Sequence, residues 1–195
     1  LGVVRSVVKA LHAFLGGLTA ASALLFGVVA VLLISGNGLW QGQITTGDLA
    51  NAIALMLLVG FAEELLFRGW LWGELELLTG RQRAIGIQAA VFALVHPWYQ
   101  LPPVEAIALL VGLVLLGLAL ALQRRADNGM LWGSIGLHGG LVGGWFALQA
   151  GLITLPGTSP TWLLGAGGAN PNPISGLLGC AGLGAFILIR RRWWR

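Results

Sequence analysis

Apolar residues along this chain come in long runs, and polar residues are confined to the gaps between them. Six runs stand out, near 11–35, 49–73, 84–96, 104–122, 130–153 and 175–190. Runs of this kind predict membrane helices. The first is too long for a signal-peptide core and reads as a true anchor. The third is short: about 13 residues at 1.5 Å each cover only about 20 Å of a hydrocarbon core about 30 Å thick. Pro97 stops it. A short, broken helix belongs inside a bundle, lining a cavity, because non-helical backbone is not tolerated facing lipid.

The gaps carry the topology. With a cytoplasmic N-terminus, Arg5 and Lys9, then Arg81 and Arg83, then Arg124 and Arg125, then Arg190, Arg191, Arg192 and Arg195 all fall inside. The alternate gaps, 36–48, 97–103 and 154–174, contain no Lys or Arg. This positive-inside pattern predicts an even number of crossings with both termini cytoplasmic. Trp40, Trp98 and Trp162 mark one interface, and Trp132, Trp193 and Trp194 the other,. The fifth run carries Gly129, Gly133, Gly136, Gly140 and Gly144, with Gly139 and Gly143 on a second face. Small residues at these spacings let neighbouring helices approach closely, so this helix is expected at the centre. The uncharged stretch 156–176 reads as an outer loop over the bundle,. Nothing marks a second domain or an internal repeat, so residues 1–195 form one unit.

Composition fixes the class. Of the 195 residues, 57% are hydrophobic and 9% charged, against about 25% charged in soluble domains. With a mean hydropathy of +0.86, the expectation is an all-α polytopic transmembrane bundle of about six helices around an intramembrane polar cavity. The net charge of +4 is not a nucleic-acid signal, because the basic residues sit where topology needs them. The single cysteine, Cys180, excludes an intrachain disulfide framework and a cysteine-rich metal site,. The chain opens at Leu1 rather than Met, which leaves room for a segment ahead of it.

One apolar stretch breaks the rule. FAEELLFRGW, residues 61–70, holds Glu63, Glu64 and Arg68, and an uncompensated mid-membrane charge costs at least about 2.5–3.5 kcal/mol. Glu64 and Arg68 are four apart and can pair along one helix face. Glu63 lies about 100° round the helix and needs another partner. His96 and His138 are the available ones. Counted from the cytoplasmic ends of their runs, Glu63, His96 and His138 lie about 15, 18 and 12 Å deep, a common level on three helices. Two histidines and a carboxylate can ligate a divalent metal such as zinc or activate water by general base catalysis. The alternative is an ion-pair cluster that only locks the bundle, although buried pairs are weak stabilisers relative to apolar packing. His12 reads as interfacial and non-functional. HExxH, GxSxG and GxxxxGK[ST] are all missing, which turns the reading away from serine and nucleotide hydrolysis and towards activated water.

Glu63-Glu64-x-x-x-Arg68 resembles the EExxxR motif of the CPBP intramembrane proteases, which include type II CAAX prenyl endopeptidases and bacterial Abi proteins. Phe92-x-x-x-His96 resembles their FxxxH motif. His138 falls where a third motif, a histidine followed four residues later by Asn or Asp, is expected. The resemblance covers about residues 49–153, and SIGLHGGLVGGW and NPNPISGLLG look similar to cyanobacterial members. It implies a metallo- or glutamate-type endopeptidase acting on membrane-associated or C-terminally processed proteins. Glu63 would be the base, assisted by His96. His138 would stabilise the oxyanion, and Glu64 and Arg68 would orient Glu63. A divalent metal on Glu63, His96 and His138 is left open by the resemblance. Val142 stands where the family has Asn or Asp and can neither donate to an oxyanion nor bind a metal; Ser134, one turn before His138, is the nearest substitute. Related enzymes commonly show about eight helices. Two rival readings are a non-catalytic scaffold, supported by Val142, and a small proton-coupled transporter, opposed by the lack of paired broken helices. Partners are expected to be membrane lipid and a peptide or membrane-protein substrate, not nucleic acid.

Overall fold

The computed structural model describes residues 2–3, 6–156, 159–167 and 170–194. Arg5 and Arg195 of the charge pattern, and positions 157, 158, 168 and 169 of the long loop, lie outside the described residues. The six apolar runs appear as α1 (Val7–Ile34), a continuous rod formed by α2 (Thr46–Glu63), a π-helical stretch (Glu64–Leu71) and α3 (Trp72–Thr79), then α4 (Arg81–Leu94), α5 (Pro103–Ala126), α6 (Trp132–Ala147) and α8 (Leu177–Arg190). The short α7 (Thr161–Leu164) interrupts the long loop. The fold is all-α, as the sequence predicts. Val7–Ile34, Thr46–Thr79 and Pro103–Ala126 are long and apolar enough to cross a membrane.

Element limits follow from local chemistry. Thr45 and Asp48 form a reciprocal capping box that starts α2 at Thr46, before the apolar run begins,. Gly80, with φ of 81°, breaks α3 from α4 in a conformation that favours glycine,. Pro103 opens α5 at its first turn, where its missing N–H costs nothing,. At the opposite end of the bundle from Arg81 and Arg125, the two-residue strands β1 (Leu39–Trp40) and β2 (Ile153–Thr154) pair antiparallel.

The glycine-rich α6 packs between α1 and α2, as its spacing predicts. A Cβ at Gly136 would strike the Phe14 carbonyl of α1, and one at Gly139 the Met56 carbonyl of α2. Gly129 is not part of this face: it lies in the turn before α6 with φ of 84°. α5 packs against α4 and α8, and Phe67, Phe92, Leu116, Leu120 and Leu137 join the two groups in one core. Phe26, Leu58, Val104 and Ile107 face outward, as a bilayer solvent allows and water does not.

The ends of the bundle sort as the charge pattern implies. Arg125 donates to the Trp193 and Trp194 carbonyls and to the Arg81 carbonyl, so α4, α5 and the C-terminal segment share one end. The Leu131 amide donates to Gly2, and the Trp132 indole to Val3, at that same end.

Candidate active site

The widened π turn carries the charged motif. Its backbone bonds reach back five residues, so the Trp72 amide donates to Phe67 rather than Arg68,. The Arg68 carbonyl instead accepts a bond from the Arg124 guanidinium, which also donates from Nε to the Gly129 carbonyl at 3.2 Å. Wide turns of this type occur frequently at functional sites. Sequence spacing alone predicts an uninterrupted α-helix here.

Glu64 and Arg68 are fully buried, with Arg68 Nη1 donating to Glu64 Oε1 at 2.8 Å. The same oxygen stands 2.9 Å from His138 Nδ1, so it accepts from both. Glu64 therefore fixes His138, not Glu63. Arg68 also stacks on Phe92, with Cζ 4.1 Å from the ring centroid, which adds a cation–π attraction in a dry setting. Phe92 is itself fully buried and meets the His96 and His138 rings edge-on, with centroids 4.7 and 5.9 Å away. The sequence marks Phe92 only as a motif position; its packing role comes from three side chains meeting on one ring.

Glu63 points elsewhere. Its Oε2 lies 3.8 Å from His138 Nε2 and 3.9 Å from His96 Nε2. Both rings are fixed at their other edge. His96 Nδ1 is 2.6 Å from the Phe92 carbonyl, which can only accept, so Nδ1 carries the hydrogen,. His138 Nδ1 carries one by the same argument, facing a carboxylate,. Both Nε2 edges thus turn toward Glu63, whose Oε2 has no hydrogen-bond partner among the described residues. His138 is buried, whereas Glu63 and His96 keep 31% and 27% of their side chains exposed. All five predicted residues meet in one cluster. His12 does not join it and bonds only within its own helix. The Ser134 hydroxyl donates to the Leu131 carbonyl at 2.8 Å.

These separations discriminate between occupants. A water bridging Glu63 Oε2 to either Nε2 with bonds of about 2.8 Å would subtend roughly 90° at these separations,. A tetrahedral zinc with bonds of about 2.0–2.1 Å would draw its ligands to about 3.3 Å apart. The donor types and their anchored Nδ1 edges suit a divalent ion, but the spacing is about half an ångström wide of it. Among the described residues no three His, Cys, Asp or Glu groups stand close enough to hold one as they are.

Beside His138 a cavity of about 320 Å³ opens among α1, α5, α6 and α8, lined by Leu116, His138, Leu141, Val142, Ile174 and Leu183. Its walls are chiefly apolar. Trp145 and Gln149 both donate to the Pro171 carbonyl, at 2.9 and 3.3 Å, and so fasten the segment around Pro171 over this cavity. Val142 faces into it one turn beyond His138.

The family model of type II CAAX prenyl endopeptidase Rce1-like proteins matches residues 45–143. That span runs from the cap of α2 to the middle of α6 and contains every member of the cluster. No curated protein and no solved structure matches the chain.

Proposed function

The chain belongs to the Rce1-like family of type II CAAX prenyl endopeptidases, and from that premise we propose that it is an intramembrane endopeptidase in which Glu63 activates the attacking water. The substrate is a membrane-associated protein cut near its C-terminus, reached from the cytoplasmic side where both chain termini lie. The observation that carries this reading is that His96 Nε2 and His138 Nε2 both turn toward Glu63 Oε2, at 3.9 and 3.8 Å.

In this mechanism the neutral His96 ring accepts a hydrogen bond from the water at Nε2 while Glu63 removes its proton. The water oxygen bonds to the scissile carbonyl carbon, and the carbonyl electrons move onto oxygen. With a second proton at Nε2, His138 donates to that oxyanion, held in line by Glu64 and, through Glu64, by Arg68. The C–N bond then breaks. The leaving nitrogen takes the proton from Glu63 as the oxyanion re-forms the C=O bond, giving a carboxylic acid and an amine, and the acid's remaining proton passes to the amine to leave a carboxylate and an ammonium. Should a divalent ion bind, Glu63, His96 and His138 would hold it, and it would polarise the water. The apolar cavity beside His138 receives an apolar substrate segment. Val142 in that wall favours the second reading, a membrane scaffold that binds such segments without cutting them.

The test is cleavage by purified protein in proteoliposomes, using membrane proteins from cells lacking it as substrate. Glu63→Gln should lower the rate by about 10²–10⁴ with an unchanged thermal midpoint, and a zinc chelator should have no effect on the wild type. Undiminished cleavage by Glu63→Gln would sink the mechanism. Loss on chelation, with recovery on adding zinc, would assign the same residues to a metal.

A further inference from the structure

A second cavity, of about 610 Å³, lies at the end of the bundle where α3, α4, α5 and the C-terminal segment meet. Trp72, Glu76, Arg81, Arg124, Arg125 and Trp193 form its walls. Three arginines against one glutamate leave it strongly positive. It is separate from the catalytic cluster, and nothing in the proposed hydrolysis uses it.

Its hydrogen-bonding inventory is one-sided. The Trp72 indole N–H, the Trp193 indole N–H and the Arg125 Nε–H are all buried without a partner among the described residues. All three are donors, and all three belong to this one wall. Arg125 is 6% exposed and Trp72 2%, so neither side chain can swing freely into solvent. An unpaired buried donor is costly, and three together leave this wall short of acceptors. Their neighbours hold them in place: Arg125 Nη1 is fixed by the Trp194 carbonyl at 2.7 Å, and Arg124 stacks over Trp72 with Cζ 4.9 Å from the ring centroid. The first residue of α4, Arg81, also belongs to the wall, and that helix has no side-chain cap at Gly80. Its positive end therefore adds to the field.

We propose that this cavity binds a phosphate-bearing anion. A phosphate offers several acceptor oxygens to match several donors, and arginine is the side chain best suited to it. Two sources share that chemistry: the headgroup of an anionic phospholipid, whose leaflet this end of the bundle meets, and free phosphate. Occupancy would also steady Arg124, which closes the π turn through the Arg68 carbonyl.

Trp72 and Trp193 provide the readout. Tryptophan fluorescence of the detergent-purified full chain is titrated with dihexanoyl phosphatidylglycerol, dihexanoyl phosphatidylcholine and inorganic phosphate. The expected result is saturable binding of phosphatidylglycerol, with zwitterionic phosphatidylcholine at least about tenfold weaker. Arg81→Gln and Trp193→Phe should each raise the Kd about tenfold, the loss of one good donor to an anion. Equal saturation by inorganic phosphate supports the same site with the free ion as its source. No binding of either phosphate species, or unchanged affinity in both variants, overturns the proposal. Displacement by a peptide with a free C-terminal carboxylate, where phosphate fails to bind, overturns it in favour of a substrate-anchoring site. Trp193→Phe keeps an aromatic ring there, leaves Trp72 as the reporter, and decides the matter should Arg81→Gln fail to fold.

Discussion

Replacing Arg68 with methionine removes the guanidinium bonded to Glu64 Oε1 and leaves a carboxylate with no solvent exposure. Breaking a buried ion pair from one side costs about 3–5 kcal/mol, because the surviving charge is not hydrated and has lost its guanidinium. His138 Nδ1 remains 2.9 Å from that oxygen, but its bond is already made and cannot replace the lost one. Replacing both partners, Glu64→Gln with Arg68→Met, removes the stranded charge and keeps an acceptor for His138. Buried pairs exchanged for neutral groups of similar volume are often near neutral in stability. The double variant should therefore recover at least about 2 kcal/mol relative to Arg68→Met, a coupling well outside additivity. For a chain of this length Arg68→Met should lower the thermal midpoint by about 6–20 °C. Reversible unfolding in mixed micelles, run on the wild type, both single variants and the double, gives the complete cycle. A cost below about 1 kcal/mol for Arg68→Met, or a double variant no more stable than the single, would show that the pair is hydrated and the reasoning wrong.

Three further outcomes are expected. Gly139→Val drives a side chain into the Met56 carbonyl and should abolish folded protein, whereas Gly86→Ala, with open space around it, should raise the midpoint by the equivalent of up to about 1 kcal/mol; equal behaviour of the two would refute the close-packed role of α6. Val142→Asn places an amide in the cavity wall beside His138 and should raise kcat, by up to the 10²–10³ that one oxyanion donor supplies; steady-state kinetics showing no gain would mean that position does not face the oxyanion. Asp127, in the turn after α5, has its carboxyl pushed above the usual carboxylate range by burial, with the Gln123 amide and the Arg190 charge opposing. A raised folded pKa gives stability that is present below the unfolded value, about pH 4, and is lost as pH rises through the folded value. Asp127→Asn should accordingly exceed the wild-type midpoint at neutral pH and converge with it near pH 4, and a pH series that leaves a constant gap would remove burial as the cause.

The helices and the charged cluster were legible because both rest on short-range rules. Runs of apolar residues fixed α1, α5 and α6, and the i,i+4 spacing was enough to pair Glu64 with Arg68. Depth counting placed Glu63, His96 and His138 at one level, which the three-way geometry matches. The π turn was not legible: whether Trp72 bonds back four residues or five depends on Arg124 arriving from a distant helix. The sharing of one Glu64 oxygen between Arg68 and His138 was hidden for the same reason, since it depends on how far α6 slides against α2. Gly129 was miscounted into the packing face because spacing cannot distinguish a helical glycine from one just outside the helix. The phosphate-type cavity left no trace in sequence, because its three orphan donors come from three separate segments and Trp193 among them reads as an interface anchor.

The bond from Arg124 to the Arg68 carbonyl also has a meaning in time. The two residues are 56 positions apart, and a ribosome adding about 5–20 residues per second takes about 3–11 s to cover that interval. Throughout it the emerging rod holds its glutamates without the strap that closes the wide turn. His138 follows later still, 74 positions after Glu64. A nascent chain therefore has both carboxylates in the bilayer before it has the partners that complete the cluster, so the half-made protein carries these charges before the groups that hold them in place have been made.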